Sequence, residues 1–373
     1  PGAHGRGLRT GRADAVRIGI AKPRRGAGGG TTMALNLAVG LRERGHELFV
    51  MAHPRALIRQ RAHELGIPVD PVLFGGDIRP LPRALSWLAL RRRRPDVLLV
   101  NVARPPDLDY CAGPALRLGI PVVARRGLAG ELRLTDTQRA LFRRVRWIAV
   151  SQAIGRELEQ ALPGEEPPTV IPNGTDLDRI EAEPAADLGL PDGALAIGFV
   201  GRLHLEKGIA ELGAAWPGVA DAMPHAHLLI AGRGEHEATL RQALAGAPRV
   251  HWLGFRRDAV AVQKALDLLV LPTHREGFPN VIVEAMAAGV PVLSTAVDGP
   301  IEAVVDDVTG RLIPPRDPHA LTEAMIALAR DEAARKRMGA AGKQQAAERF
   351  DWTRVLDDYE TALARAAEAG PLG

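Results

Sequence analysis

The strongest constraint on this chain is an alternation that occurs twice. Apolar, β-branched runs of four to six residues are separated by longer segments whose apolar positions recur with helical period. That pattern is the mark of βαβ units and parallel sheets. In the first half the strands are expected at Val16 to Ala21, Glu47 to Ala52, Asp96 to Val100, Pro121 to Ala124 and Trp147 to Val150. Ala34, Leu37, Ala38 and Leu41 fall at i, i+3, i+4 and i+7, so Thr31 to Arg44 reads as a helix packed on a sheet and stopped near Gly45. Ser151 reads as the N-cap of a helix Gln152 to Ala161. Helix breakers then gather at Pro163 to Pro172 and Pro184 to Pro191, and the alternation restarts. Its second set of strands is expected at Ala196 to Val200, His227 to Ala231, Val250 to Leu253, Leu268 to Leu271, Pro291 to Ser294 and Arg311 to Ile313.

The expectation is an α/β protein of two consecutive doubly wound, Rossmann-like domains, with ligand at the C-terminal ends of the strands. At 373 residues the chain exceeds what one core supports, since single cores stop growing near ~250 to 300 residues. The expected division is a leader over 1–15, a first domain over 16–170, a linker over 171–190, a second domain over 191–345 and a terminal helix within 346–373. That helix, about Trp352 to Glu368, carries Trp352, Val355, Leu356, Tyr359 and Leu363 on one side and needs a surface to cover.

Composition narrows the function classes. No apolar stretch reaches the ~20 residues of a spanning helix, and the single cysteine, Cys111, has no disulfide or zinc partner of its own kind, which points to the cytoplasm. The net charge of +4 hides an asymmetry: residues 1 to 175 carry 28 Lys+Arg and 15 Asp+Glu, residues 176 to 373 carry 20 and 29, so the halves stand at +13 and −9. Either the halves attract each other or merely differ in their solvated surfaces, or the first faces something anionic, such as a bilayer leaflet, a phospho-acceptor or nucleic acid. With 4% aromatics and no zinc-finger, basic-zipper or RNA-binding signature, nucleic acid is not an expected partner.

Four constellations carry chemistry. Gly26-Ala27-Gly28-Gly29-Gly30-Thr31 joins the first strand to a helix, as a structural turn or a place where phosphate approaches backbone amides. It is not a P-loop, and Ala52-His53-Pro54 offers no acid for a dinucleotide ribose. Gly201-Arg202 and Glu206-Lys207-Gly208 set a planar fork and a flexible ammonium just beyond a strand end, which suits a diphosphate. Glu276-Gly277-Phe278-Pro279-Asn280-Val281 opens a helix with Pro279 near N1, and Glu284 lies about a turn and a half further on. Asp107-Leu108-Asp109 resembles a metal-binding acid pair, but acids at a helix start are also favoured by the dipole alone.

Together with Val150-Ser151-Gln152, Ile171-Pro172-Asn173-Gly174-Thr175-Asp176 and Glu284-Ala285-Met286-Ala287-Ala288-Gly289, these pieces resemble the GT-B fold glycosyltransferases of retaining family 4, over nearly the whole chain. The resemblance implies a nucleotide-sugar donor, UDP- or GDP-linked, no metal and no further cofactor. It implies that Arg202 and Lys207 neutralise the donor pyrophosphate and that Glu276 contacts the transferred sugar. Around them, Gly201, Phe278, Pro279, Asn280 and Val281 would cradle phosphate or sugar, Glu284 would hold the ribose, Leu253 would border the base, and Gly29 or Gly30 would close over the donor. It also implies a last helix that crosses back to the first domain. Family members commonly place a histidine where this chain reads Val123-Ala124-Arg125-Arg126-Gly127, so Arg125 and Arg126 are expected on the acceptor side, meeting an anionic group. The implied function is transfer of a hexosyl group, with retention, to a glycan, lipid-linked or phosphorylated acceptor in cell-envelope biosynthesis, by a cytoplasmic enzyme peripheral to the membrane. An epimerase or phosphorylase of the same fold, or an inactive nucleotide-sugar-binding module, is the alternative.

Overall fold

A computed structural model describes residues 15–23, 29–74, 80–130 and 132–372. The strands, in chain order, are β1 (Arg17–Lys22), β2 (Glu47–Ala52), β3 (Val69–Pro71), β4 (Val97–Val102), β5 (Val122–Arg126), β6 (Arg146–Ala149), β7 (Thr169–Val170), β8 (Leu195–Val200), β9 (Ala226–Ala231), β10 (Val250–Gly254), β11 (Leu268–Leu271), β12 (Val292–Thr295) and β13 (Gly310–Ile313). They form a seven-stranded sheet in the order β3-β2-β1-β4-β5-β6-β7 and a six-stranded sheet in the order β10-β9-β8-β11-β12-β13. Every pair in the second sheet is parallel, as are β3-β2-β1-β4 and β6-β7 in the first. Both orders reverse beside the first strand of their sheet, between β1 and β4 and between β8 and β11. These are the topological switch points where ligands of doubly wound folds bind.

By compactness the chain divides into two units. The first is assembled from the chain through Arg125, from Leu134–Arg146 and from Tyr359 onward; the second comprises Arg126–Arg133 and Trp147–Asp358. In the first, the helix Gly29–Glu43 buries Met33, Ala34, Leu37, Ala38 and Leu41, the stripe its sequence spacing demands, and the chain turns at Gly45 with φ 98°. In the second, β11 reads Leu-Leu-Val-Leu and is buried at every position, as a strand covered on both faces must be.

The helix Trp352–Ala369 buries Val355, Leu356, Tyr359 and Leu363, and from Tyr359 onward it belongs to the first unit. There the Tyr359 hydroxyl accepts from Arg125 Nε at 2.8 Å, Glu360 pairs with Arg44 and, at 3.0 Å, with His46, and Arg146 donates to the Gly370 carbonyl at 2.8 Å. The terminal helix thus crosses back as the family resemblance implied.

All six strands of the second sheet, and β1, β2, β4, β5 and β6 of the first, lie where the sequence pattern puts them, within a residue or two at each end. The pattern did not reveal β3 and β7. Both are sheet edges of two or three residues, and β3 ends in a proline, so neither carries a hydrophobic period to read. Residues 1–14 of the expected leader, and Gly26, Ala27 and Gly28 of the glycine-rich turn, lie outside the described residues. Among the described residues no helix is long and apolar enough to cross a membrane.

Candidate active site

At the switch point of the second sheet, backbone contacts place the loop that follows β8. Gly201 N donates to Ala231 O at 2.9 Å, Leu203 N to Arg233 O at 3.0 Å and Gly232 N to Gly254 O at 2.7 Å, so the ends of β8, β9 and β10 are stitched together. Gly232 has φ 147°, and a Cβ there would sit 1.8 Å from Gly201 O, so a side chain would break the stitch. Arg202 projects from this base. It is exposed and, among the described residues, has neither an ion pair nor a side-chain hydrogen bond.

The same loop is pressed against the one that follows β11. A 3-10 turn, Leu205–Lys207, ends at Gly208 with φ 70°, where a Cβ would fall 1.8 Å from Pro272 O. Glu206 O accepts from His274 N at 2.8 Å and from Thr273 Oγ1 at 2.9 Å. This packing delivers the Lys207 ammonium onto the Glu276 carboxylate, with both side chains about four-fifths buried. An ammonium and a carboxylate so placed neutralise each other in the free protein. An anionic ligand arriving at the loop would compete with Glu276 for Lys207.

Glu276 is held by its own backbone, whose carbonyl accepts from Gly299 N at 3.0 Å. The helix Asn280–Ala287 begins just beyond it, with Pro279 as its N-cap rather than at N1. Among the described residues, the amides of Asn280 and Val281 have no acceptor, as the first amides of any helix lack one within the helix. Asn173 orders this turn, its Nδ2 lying 2.8 Å from Phe278 O and 2.7 Å from Asn280 Oδ1, while the Phe278 ring packs edge-on to Phe350. Sequence reading placed Asn173 in a motif without giving it this task. Glu284 accepts from Gln263 Nε2 at 3.1 Å, and burial pushes its carboxyl above the usual carboxylate range despite that hydrogen bond.

Not every expected residue joins this group. Leu253 lies on β10, the edge of the sheet two strands from β8, half-buried beside Trp252, whose ring is covered by Arg241 at 4.1 Å. Gly29 and Gly30 open a helix of the first unit at the other switch point, where Gly30 O accepts from Asn101 Nδ2 at 2.7 Å.

The reason for giving Arg125 and Arg126 an external anion needs correction. β5 continues through both residues, and they are only 3% and 4% exposed. Arg125 donates to Tyr359 and, at 3.2 Å, to Asn101; Arg126 donates to Gly130 O and lies 3.7 Å from Glu157. A cation on a covered strand must find partners inside the protein; Arg125 has done so, and Arg126 has in part, since its buried Nε has no partner among the described residues. The run Arg91 to Arg94 is likewise engaged in part: Arg92 and Arg93 pair with the buried Asp70, and Arg91 lies over Trp87 at 4.9 Å. At the acid pair, Asp107 caps its helix by accepting from the amides of Ala103 and Arg104 at 2.9 and 2.8 Å, and Asp109 accepts from Gln138 at 2.9 Å.

Two family models match the chain. One, described as Glycosyltransferase Family 4, covers residues 27–179, and one described as Glycosyl transferases group 1 covers residues 194–331. A phosphatidyl-myo-inositol mannosyltransferase of Mycobacterium leprae is 30% identical over 355 residues, spanning 90% of this chain and 93% of its own length. The capsular polysaccharide biosynthesis glycosyltransferase CapM of Staphylococcus aureus is 33% identical over 175 residues, 45% of this chain and 46% of its own. In fold, the chain is similar to Anabaena Alr3699/HepE, solved with UDP and glucose, at a TM-score of 0.79 and 22% identity, covering 94% of this chain and 100% of that one.

Proposed function

Since the chain belongs to the GT-B glycosyltransferases of the family 4 type, we propose that it moves a hexosyl group from a UDP- or GDP-linked sugar to a phosphate-bearing, lipid-linked acceptor, with retention of anomeric configuration and without a metal. The observation that carries the donor side is the loop after β8, which holds an exposed guanidinium at Arg202 and an ammonium at Lys207 whose counter-charge, among the described residues, is Glu276.

The chemistry follows from that arrangement. As the glycosidic bond to phosphate lengthens, negative charge grows on the departing diphosphate, and two cations fixed beside it stabilise that charge more than they stabilise the bound donor. Lys207 then turns from Glu276 to phosphate. The freed Glu276 carboxylate accepts from a hydroxyl of the transferred sugar, and the helix-opening amides of Asn280 and Val281 serve the phosphate or the sugar. Glu284, held through one oxygen by Gln263, offers the other to the ribose. No side chain is assigned as a nucleophile, so retention is ascribed to attack from the face the diphosphate leaves.

The acceptor class rests on the excess charge of the first half and on the phospholipid acceptor named for the mannosyltransferase relative. The deciding experiment is release of nucleoside diphosphate from a panel of UDP- and GDP-sugars, with and without phosphatidylinositol vesicles. Release that rises with acceptor supports transfer. Release of free nucleotide independent of any acceptor would favour an epimerase, and no release together with donor binding would leave an inactive binding module.

A further inference from the structure

The loop bearing Arg202 and Lys207 also bears His204, and the loop after β9 brings Glu235 and His236 to it. His204 Nε2 lies 2.8 Å from Glu235 Oε1, the same oxygen lies 4.0 Å from His236 Nδ1, and the two rings meet edge to face with centroids 4.8 Å apart. One ligand atom from each residue falls within 4.8 Å of the others. The backbone beneath is fixed. His236 N donates to Leu203 O at 3.2 Å, and a Cβ at Gly234 would sit 2.1 Å from that carbonyl, so the loops touch along their main chains.

Within this cluster the His236 Nδ1 is buried and, among the described residues, has no hydrogen-bond partner. A buried polar atom left unmatched is unfavourable unless something satisfies it. Two imidazoles and a carboxylate are a ligand set for zinc and neighbouring transition metals, and tetrahedral zinc with bonds of about 2.0–2.1 Å spaces its ligand atoms about 3.3 Å apart. The observed 2.8 and 4.0 Å lie on either side of that value.

We propose that His204, Glu235 and His236 form a site for a divalent transition metal, with zinc the best fit to the ligands, which clamps the loop after β8 to the loop after β9. His204 Nδ1 accepts from Glu206 N at 3.2 Å, which leaves Nε2 facing Glu235. A metal at Nε2 requires the ring proton on Nδ1, so the Glu206 amide gives up its bond to Nδ1 and the Glu206 carboxylate, now 3.7 Å away, closes on that nitrogen to accept the proton. A carboxylate then orients a metal-bound histidine. The site shares a backbone loop with the donor cations but supplies no group to the transfer reaction, so it stands or falls independently of the proposed function.

The test is titration of the untagged chain with Co²⁺, read by visible d–d absorption, followed by displacement with Zn²⁺. The expected result is one equivalent bound, with affinity lowered at least ~100-fold in both His204→Ala and His236→Ala and lowered also in Glu235→Gln. Their metal-free melting temperatures should match wild type, which separates loss of a ligand from loss of the fold, and Zn²⁺ should raise the melting temperature of wild type alone. Should either histidine variant fail to fold, Glu235→Gln and His236→Asn carry the test. Binding that survives in all variants, or wild-type binding no tighter than theirs, overturns the proposal.

Discussion

Arg125 and Arg126 end β5 turned into the protein, whereas Arg202 and Lys207 stand beyond the end of β8 on a loop. The first two are almost inaccessible and answered by Tyr359, Asn101, Gly130 and Glu157; of the second two, one is exposed without a partner among the described residues and the other is balanced by a single carboxylate. The contrast is one of position relative to a strand end. A side chain still on a covered strand is desolvated by the layers around it and has to be satisfied internally. Two residues past the end of β8, at the switch point where doubly wound folds bind ligands, the Arg202 side chain is exposed.

The largest effect should come from the pair on the loop. Arg202→Ala or Lys207→Ala is expected to lower turnover by at least ~100-fold, as removal of one charge-stabilising donor does in other active sites, with the melting temperature nearly unchanged. Nucleoside-diphosphate release beside a thermal melt measures both. Activity within a few-fold of wild type would erase the functional half of the comparison.

Next comes the buried pair. Arg126→Ala leaves Gly130 O and Glu157 without their cation, and is expected to destabilise the fold by about 1–3 kcal/mol in denaturant titration while donor affinity holds. If the variant melts like wild type and instead raises the acceptor KM, Arg126 belongs with the ligand-facing cations.

A smaller effect is expected at Glu284. Because burial raises its folded-state pKa, its contribution to stability is whole below the unfolded value of about 4.3 and is lost as pH rises through the folded value. Glu284→Gln removes that loss, so the donor-free variant should gain in melting temperature over wild type at pH 7 and show little gain at pH 4, while binding donor more weakly. An equal gain at both pH values would mean that packing, and not ionisation, governs the site.

The smallest expected effect is that of chelation. EDTA should leave most transferase activity, since the proposed function gives Arg202 and Lys207 the task of neutralising the diphosphate. Complete loss restored by Mg²⁺ or Mn²⁺ would return attention to Asp107 and Asp109, now seen capping a helix and accepting from Gln138.

What the sequence determined by itself is whatever a short stretch of chain can specify. A buried parallel strand announces itself by an unbroken apolar run, and a helix by its stripe and its cap, as at Ser151, whose hydroxyl accepts from Ile154 N at 3.3 Å. The edge strands β3 and β7 lacked such a run and passed unseen. Motif residues stood out as types of chemistry: a guanidinium, an ammonium, two carboxylates and a helix start.

Their partners were decided only by the tertiary structure. Lys207 meets Glu276, 69 residues away, because Gly208 lets two loops touch at Pro272 O. Arg125 meets Tyr359 across 234 residues because the last helix returns to the first unit. The physical reason is that the solvation and counter-charge of an ionic group depend on what packs against it, and packing between distant segments leaves no period in the sequence to be read.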